Sequence, residues 1–280
     1  MIYKPKVLFV TSREDFAVDY LIYKFLNYDV PYLRLNSEDI TNFSIVVDFN
    51  CVRIKYKDDV YSLEEVKSVY FRRSPTSFPS TIDINDMSFI NQERKDFLEG
   101  LYLTLDCKWI NPIFSTYKAE RKIYQFSKAR EVGFKTPKTI ISNNPKQLKE
   151  FVAENVNCII KPIRHGLQIT PSKAYSIYTS ELNELSGLND DSLLESPILI
   201  QDKIFKYRDI RSTVIGNQVF SVEIDTNEVD NTDWRKPELS KYYKLHQLPK
   251  HVENKMLRLH EELDLIYSAF DFILTPEGEY

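Results

Sequence analysis

The fold is decided by two adjoining stretches, Ile198-Leu199-Ile200-Gln201-Asp202-Lys203-Ile204 and Lys206-Tyr207-Arg208-Asp209-Ile210-Arg211-Ser212-Thr213-Val214-Ile215-Gly216-Asn217. The first is an apolar strand that runs into a polar segment, and the second is a charged strand. Because side chains alternate along a strand, Asp209, Arg211 and Thr213 lie on one face. The polar segment can offer adenine a backbone donor and acceptor side by side, and the charged strand can face phosphates. Together they predict a nucleotide site.

The composition excludes several classes of function. The chain has 280 residues, which is enough for two or three subdomains. Its net charge is −4 and its basic residues are spread along the sequence, so we expect neither nucleic acid nor a membrane as a partner. No stretch approaches the ~18 apolar residues of a membrane span. The three cysteines are far apart and form no CxxC motif, which favours reduced thiols and a cytoplasmic protein.

Lysine and arginine must bind any phosphate, because the 6 glycines form no phosphate-binding loop. Lys122 lies in the apolar stripe of a helix predicted over residues 117–132. A buried ammonium without an anion costs several kcal/mol, so Lys122 is a candidate phosphate ligand. Lys161 ends a predicted strand before Pro162, which cannot continue a central ladder. Solvated lysines are the alternative interpretation of both residues.

The segments around this site carry further candidates. A β-α-β pattern over residues 6–36 predicts a small parallel sheet, and Arg72-Arg73 follows a later strand of the same region. These two arginines either contact substrate or form a solvated rim. Arg235 either clamps a phosphate or stacks on Trp234 at the surface.

Asp271 interrupts an apolar strand in Phe270-Asp271-Phe272. A carboxylate in such a run is usually paired or binds a metal ion. Magnesium coordination and a buried structural hydrogen bond are the two interpretations that the sequence leaves open.

The order of these motifs resembles the ATP-grasp fold, and most closely the graspetide synthetases, which are microviridin-type maturases of ribosomal peptides. The resemblance covers nearly the whole chain. It rests on Lys122, Ile159-Ile160-Lys161-Pro162, the two opening stretches, Trp234-Arg235 and Phe270-Asp271-Phe272, together with Tyr32-Leu33-Arg34-Leu35-Asn36 and Tyr70-Phe71-Arg72-Arg73 nearer the N-terminus.

The resemblance implies an α+β architecture with three parts. These are an N-terminal pre-ATP-grasp domain over residues 1–115, a central ATP-grasp subdomain over 116–196 and a C-terminal subdomain over 197–280. It also implies ATP and Mg²⁺ as cofactors. The implied nucleotide ligands are Lys122, Lys161, Gln201, Asp202, Lys203, Ile204 and Asp209. Arg211 and Arg235 are implied to act on the transferring phosphoryl group and Asp271 to bind magnesium, while Arg72, Arg73 and His165 are weaker candidates for substrate contact.

The implied activity is an ATP-dependent ligase. It would activate Asp or Glu side chains of a ribosomal precursor peptide, composed of leader and core, and join them to Ser, Thr or Lys. A homodimer is expected from the same resemblance. The alternatives are an ATP-grasp ligase that adds amino acids to a tail, a nucleotide- or leader-binding module without activity, and an ordinary α/β binding domain. Family members carry a further strand with a Glu and an Asn for the metal. Either the sequence is truncated after Tyr280, which is the interpretation we prefer, or the protein naturally lacks these ligands and is impaired in catalysis.

Overall fold

A computed structural model describes residues 2–48, 51–72, 84–164, 166–169, 174–182, 184–185, 189–224 and 243–280. The chain forms two compact units, Met1–Ile113 and Phe114–Tyr280. Helices and sheets occur in both units, which confirms the predicted α+β class. None of the helices in the described ranges is both long enough and apolar enough to span a bilayer.

The first unit contains two four-stranded sheets. One has the order β1-β6-β5-β4, and the other has the order β3-β2-β7-β8 with every neighbouring pair parallel. Its strands are β1 (Ile2–Tyr3), β2 (Val7–Thr11), β3 (Tyr32–Asn36), β4 (Phe43–Val47), β5 (Val52–Tyr56), β6 (Asp59–Ser62), β7 (Ser68–Phe71) and β8 (Lys108–Ile110). Its α-helices are α1 (Phe16–Phe25) and α2 (Ile84–Leu103), with 3₁₀ turns at Leu26–Tyr28 and Ser37–Asn42.

The parallel sheet confirms the β-α-β prediction for residues 6–36. The apolar run of β2 is buried on both faces, as a central parallel strand requires. Asp15 caps the N-terminus of α1, and its side chain accepts a hydrogen bond from the Val18 N–H.

The second unit contains residues 198–204 and 206–217, which predict the nucleotide site. Its strands are β9 (Thr139–Ser142), β10 (Cys158–Lys161), β11 (Leu167–Ile169), β12 (Ala174–Ser176), β13 (Ser180–Leu182), β14 (Ile198–Asp202), β15 (Arg208–Ile215), β16 (Gln218–Ile224), β17 (Tyr243–Leu245) and β18 (Tyr267–Leu274). Its helices are α3 (Ile113–Ala119), α4 (Lys122–Glu131), α5 (Pro145–Glu154), α6 (Asp190–Glu195) and α7 (Lys250–Glu262).

The first antiparallel sheet of this unit has the order β13-β10-β14-β9. One face packs against α5 and α6, where Cys158 and Ile200 join Leu148, Val152 and Leu193 in one buried cluster. Because side chains alternate along each strand, the residues between those core positions point to the other face.

The second antiparallel sheet has the order β17-β16-β15-β18. Ile210 and Val214 of β15 pack with Val252 and Met256 of α7. The turn between β15 and β16 contains Gly216 at φ +60°, a conformation that suits a tight hairpin. Gly216 and Asn217 therefore form a two-residue hairpin turn.

The single helix predicted over residues 117–132 is wrong. The chain forms α3 and α4 instead, and Arg121 between them is extended, with φ −85° and ψ 104°. Lys122 is therefore the first residue of a helix rather than a member of a continuous stripe. Ile123, an apolar residue of the same predicted helix, is exposed.

Candidate functional site

The β13-β10-β14-β9 sheet has one face turned away from α5 and α6. Lys161 and Gln201 lie on this face. Lys161 lies opposite Leu199 in the register of β10 and β14, two residues from Gln201, so both side chains point to this face. Gln201 is buried, and its Nε2 donates to Thr139 Oγ1 at 2.8 Å. The hydrogen bond fixes the orientation of the amide. Asp202 lies opposite Cys158, on the helix-covered face, so its side chain points away from this site.

The segment after β14 has backbone groups available for a ligand. The N–H of Asp202 donates to the Lys138 carbonyl at 3.0 Å, and the N–H of Lys203 donates to the Asn157 carbonyl at 2.9 Å. In the described part of the chain, neither the Lys203 carbonyl nor the Ile204 N–H has a hydrogen-bond partner. One acceptor and one donor on neighbouring residues are the pair that the edge of adenine requires.

Lys122 is tied to the loop that follows Lys161. Its Nζ donates to the carbonyls of Pro162, Ile163 and Arg164 at 2.7, 3.0 and 2.5 Å. Three neutral acceptors therefore surround an ammonium that we expected to need an anion. Lys122 thus lies next to the end of β10, close to Lys161, as the sequence predicted. Its hydrogen-bond donors, however, bind backbone carbonyls of the protein.

The same loop is closed by Gly166. The Ile177 N–H donates to the Gly166 carbonyl at 2.7 Å, and a Cβ added at Gly166 would lie 1.9 Å from the Ile177 carbonyl oxygen. Backbone atoms cannot move aside as a flexible side chain can, so this close approach requires glycine.

A cleft of about 450 Å³ lies between α4 and the first sheet. Thr139, the partner of Gln201, lines it together with Ile123, Phe126, Ser127, Arg130, Glu131 and Ile141. Its size falls in the range of small-molecule sites, ~300–1,000 Å³. The exposed Ile123 contributes apolar surface at this cleft.

Arg211 and Asp271 lie next to each other on the β17-β16-β15-β18 sheet, on the face turned away from α7. They are opposite one another in the register of β15 and β18, and Arg211 Nη1 donates to Asp271 Oδ1 at 2.6 Å. The side chain of Asp271 is 56% exposed. The alternative of a buried structural hydrogen bond is therefore wrong, because β18 turns this residue away from α7 while Phe270 and Phe272 pack toward it.

The exposure of the Arg211–Asp271 pair makes it exchangeable. An exposed ion pair contributes about 0–1 kcal/mol, which a bound cation or phosphate can readily exceed. Mg²⁺ is usually held by one or two carboxylates together with substrate phosphates and water, so the Asp271 carboxylate fits as one ligand. Within the described ranges, no group of three His, Cys, Asp or Glu side chains is arranged to hold a metal ion.

Asp209 lies on the same face as Arg211, as the period of the strand predicted. Its side chain is buried, and Lys206 Nζ donates to Asp209 Oδ2 at 2.7 Å. This ion pair joins β15 to the segment that carries Ile204. The pairing of Lys203 with Glu181 similarly holds the segment against β13.

Arg72 belongs to the first unit and has a structural partner there. Its Nε lies 2.9 Å from Asp15 Oδ2, and the Asp15 carboxylate also accepts a 2.8 Å hydrogen bond from Thr11 Oγ1. Asp15 is buried, so the guanidinium of Arg72 compensates its charge. Contact between Arg72 and substrate stays a prediction. Arg73, His165 and Arg235 lie outside the described residues.

Three residues that no sequence pattern indicated take part in the site. They are Thr139, which anchors Gln201; Lys206, which pairs with Asp209; and Glu181, which pairs with Lys203. The three-residue spacing of Lys206 and Asp209 is a local signal that could have been used. Thr139 is 62 residues from Gln201, so no local pattern connects them.

Comparisons with solved structures identify the fold. A RiPP-associated ATP-grasp ligase from Chryseobacterium gregarium, solved with ADP and a leader and core peptide, superposes with a TM-score of 0.86 at 25% identity over 99% of this chain and 87% of that one. The macrocyclase MdnC from Microcystis aeruginosa MRC, bound to its precursor peptide MdnA, gives 0.83 at 24% identity over 100% and 89%. The ATP-grasp ligase PsnB, complexed with a precursor variant, Mg and ADP, gives 0.76 at 17% identity over 99% and 88%.

No family model matches the sequence, and no curated protein matches it. The structural similarity nevertheless extends over essentially the whole chain and includes both units. The chain therefore has the ATP-grasp fold in the form found in RiPP-associated ligases, which confirms the resemblance carried by its sequence.

Proposed function

We propose that this protein is an ATP-dependent ligase that crosslinks a ribosomal precursor peptide. It activates Asp or Glu side chains of the core and joins them to Ser or Thr as esters, or to Lys as amides. The observation that carries the proposal is the similarity of fold, over 99% of the chain at 25% identity, to a RiPP-associated ATP-grasp ligase solved with ADP, leader and core. The exposed Arg211–Asp271 pair and the donor and acceptor at residues 203–204 support it.

The chemistry requires activation because oxide is a poor leaving group. An oxygen of the substrate carboxylate attacks the γ-phosphorus of ATP, ADP leaves, and an acylphosphate forms. A hydroxyl or amine then attacks the acyl carbon, phosphate leaves, and the attacking group loses a proton. Bound Mg²⁺ supplies charge neutralisation at the phosphates, where Asp271 would hold it.

The protein residues bind and orient the reactants in this proposal. The Lys203 carbonyl and the Ile204 N–H hold adenine beside Gln201. Lys122 and Lys161 bind phosphates, and Asp209 supports the nucleotide pocket. Arg211 and Arg235 stabilise the charge that develops on the transferring group. Arg72, Arg73 and His165 are weaker candidates for contacts to the core peptide.

The partner in this proposal is a precursor peptide composed of leader and core. Leader docking raises the local concentration of the core at the ATP site, so each core contact can be weak. Residues 1–115 form the pre-ATP-grasp domain, residues 116–196 the central subdomain and residues 197–280 the C-terminal subdomain. The protein is a homodimer in the cytoplasm and has neither nucleic acid nor a membrane as a partner. Its three cysteines, Cys51, Cys107 and Cys158, are unpaired, in agreement with a reducing compartment.

The test is a crosslinking assay with the precursor peptide encoded beside the gene. The purified full chain is incubated with ATP, Mg²⁺ and the peptide, and products are analysed by mass spectrometry. We expect the loss of one water for each new link, and fragmentation that assigns the link to an acidic side chain. Omission of ATP and the Arg211→Met variant are the controls, and neither should give product.

Two outcomes would contradict the proposal in different ways. Binding of ATP without water loss, in a preparation with a competent precursor, would favour a nucleotide- or leader-binding module. Addition of free amino acids to a peptide tail, with a corresponding gain in mass, would favour the other class of ATP-grasp ligase.

A further inference from the structure

The β17-β16-β15-β18 sheet turns one face away from α7, and this face is divided into a charged half and an apolar half. Opposite residues of an antiparallel sheet share a face, so the register assigns each side chain. In the described part of the chain, β15 and β18 supply the charged side chains of this face, which are Asp209, Arg211 and Asp271. Apart from Gln218, the side chains that β16 and β17 place on the same face are apolar or aromatic: Phe220, Val222, Ile224, Tyr243 and Leu245.

One row of residues crosses both halves. Leu245 lies opposite Val222, Val222 opposite Arg211, and Arg211 opposite Asp271. Neighbouring strands are ~4.8 Å apart, so Val222 lies about 5 Å and Leu245 about 10 Å from Arg211, measured across the strands. Phe220 is two residues from Val222 on the same strand and is 54% exposed. We call Phe220, Val222 and Leu245 the apolar strip.

The fold holds Leu245 in water. Its side chain is 93% exposed, and the next residue, His246, points to the opposite face. His246 Nδ1 lies 3.0 Å from Glu223 Oε2, and its Nε2 lies 2.7 Å from the Tyr280 hydroxyl. Its N–H donates to the Ser221 carbonyl at 3.0 Å. Because side chains alternate, these contacts fix Leu245 on the open face. A single exposed leucine is ordinary, but adjoining exposed apolar side chains mark an interaction surface.

The chemistry of the two halves separates what each can bind. Phosphates and Mg²⁺ find partners in the charged half, whereas the apolar strip offers them no ionic or hydrogen-bonding group. Adenine is assigned to residues 203–204 of the other sheet, so it does not need the strip. The core peptide is the remaining reactant, and under the proposed function its carboxylate reacts beside Arg211 and Asp271. An apolar side chain of the core would remove the strip from water.

The geometry of an extended peptide gives the position of that side chain. Every second side chain of such a peptide points the same way, and the two are ~6.8 Å apart. When the carboxylate lies over Arg211, the side chain two residues away therefore falls between Val222 and Leu245. We infer that the apolar strip binds an aliphatic or aromatic side chain of the core, two residues from the acidic residue that is activated. The strip thereby selects which acidic residue reacts. This inference rests on the proposed function.

Steady-state crosslinking kinetics test the inference, with the full chain, ATP, Mg²⁺ and the precursor peptide encoded beside the gene. Leu245→Asn should raise the KM for the peptide about tenfold, as expected for the loss of one partly buried leucine side chain. Its kcat should stay near the wild-type value, because the strip contacts the peptide equally before and during the reaction. Phe220→Asn should act in the same direction. Val46→Asn is the matched control, since Val46 is an apolar strand residue of the first unit and is 54% exposed.

An exchange of charge distinguishes direct contact from a structural effect. In two variants of the precursor, arginine replaces the residue two positions before or two positions after the linked acidic residue. The wild-type protein should process one of them with kcat/KM lowered about tenfold. Leu245→Glu should reverse this preference and process that variant better than the natural core, because the new carboxylate pairs with the arginine. A substitution that only disturbed the sheet would weaken both peptides alike.

Circular dichroism and unchanged ADP affinity verify that each variant is folded and binds nucleotide. An unchanged KM in both strip variants would overturn the inference, as would a natural core with no apolar residue at either position. Equal weakening of binding to the isolated leader segment would assign the strip to the leader and would also overturn it. In these cases water loss with the wild-type protein leaves the ligase proposal intact. Absence of water loss with the wild-type protein would overturn the ligase proposal itself, and the inference with it.

Discussion

Removal of the Lys122 ammonium tests whether this residue holds the loop, the nucleotide or both. Its Nζ donates to three carbonyls of residues 162–164. Hydrogen bonds from a charged group are worth about 1.5–3 kcal/mol when sheltered, and partial exposure reduces the whole set to about 1–2 kcal/mol. Lys122→Met should therefore raise the population of the open loop about 5- to 30-fold.

Limited trypsin digestion measures that opening at the bond after Arg164. When the loop opens and closes faster than it is cut, the cleavage rate follows the open population. Lys122→Met should accelerate this cut, and Lys122→Arg should restore protection in part. Lys118→Met is the matched control because it removes an exposed lysine of the preceding helix. An unchanged cleavage rate in Lys122→Met would refute the role of Lys122 in holding the loop.

Nucleotide binding provides the second measurement. Nucleotide phosphates would compete with the three carbonyls, because one ammonium cannot satisfy all of them at once. If Lys122 also binds phosphate, Lys122→Met should weaken ADP binding about tenfold, measured by calorimetry. Faster cleavage with unchanged ADP affinity would show that Lys122 orders the loop and that its assignment as a phosphate ligand is wrong.

Three further predictions concern the second unit. Asp271→Asn should lower the Mg²⁺-dependent part of the affinity for ATP and abolish crosslinking. The free energy of unfolding should change by less than about 1 kcal/mol, because the Arg211–Asp271 pair is exposed. Gly166→Ala should speed tryptic cleavage after residue 164, since the new Cβ would collide with the Ile177 carbonyl. Burial lowers the pKa of His260 in the folded chain below its value in the unfolded chain. As the pH falls, the unfolded chain therefore binds a proton at His260 before the folded chain does. Stability should therefore fall as pH drops below ~6.5, and His260→Gln should flatten that slope in urea unfolding.

Each of these predictions has a contradicting result. If the affinity for ATP depends on Mg²⁺ equally in Asp271→Asn and in the wild type, Asp271 is not a metal ligand. Gly100→Ala is the control for Gly166→Ala because a Cβ at Gly100 meets no atom within 4 Å, and equal cleavage in both variants would refute the steric argument. Parallel pH profiles for wild type and His260→Gln would show that other groups cause the slope.

Local patterns predicted the elements around the site well. The alternation over residues 208–215 placed Asp209 and Arg211 on one face, and the register of β15 agrees. The β-α-β pattern over residues 6–36 also predicted the parallel sheet of the first unit. These features depend on neighbours a few residues away, which is the information that a single sequence contains.

The contacts that the sequence could not supply are long-range. The apolar spacing of residues 117–132 suggested one helix, but the extended backbone at Arg121 divides it. Lys122 then reaches carbonyls about forty residues away, which no periodicity encodes. The exposure of Asp271 could not be predicted either. An apolar run does not show which face of the sheet is covered by a helix.

The Arg211–Asp271 pair has a consequence for the order of folding. Its two residues are 60 positions apart, whereas β15 and β16 are joined by a two-residue turn. Closure of a short loop costs less entropy than closure of a long one, so the hairpin can form early and β18 must dock later. During synthesis, Arg211 therefore emerges on a strand whose opposing carboxylate has not yet been made. The two charges first meet when β18 docks on β15.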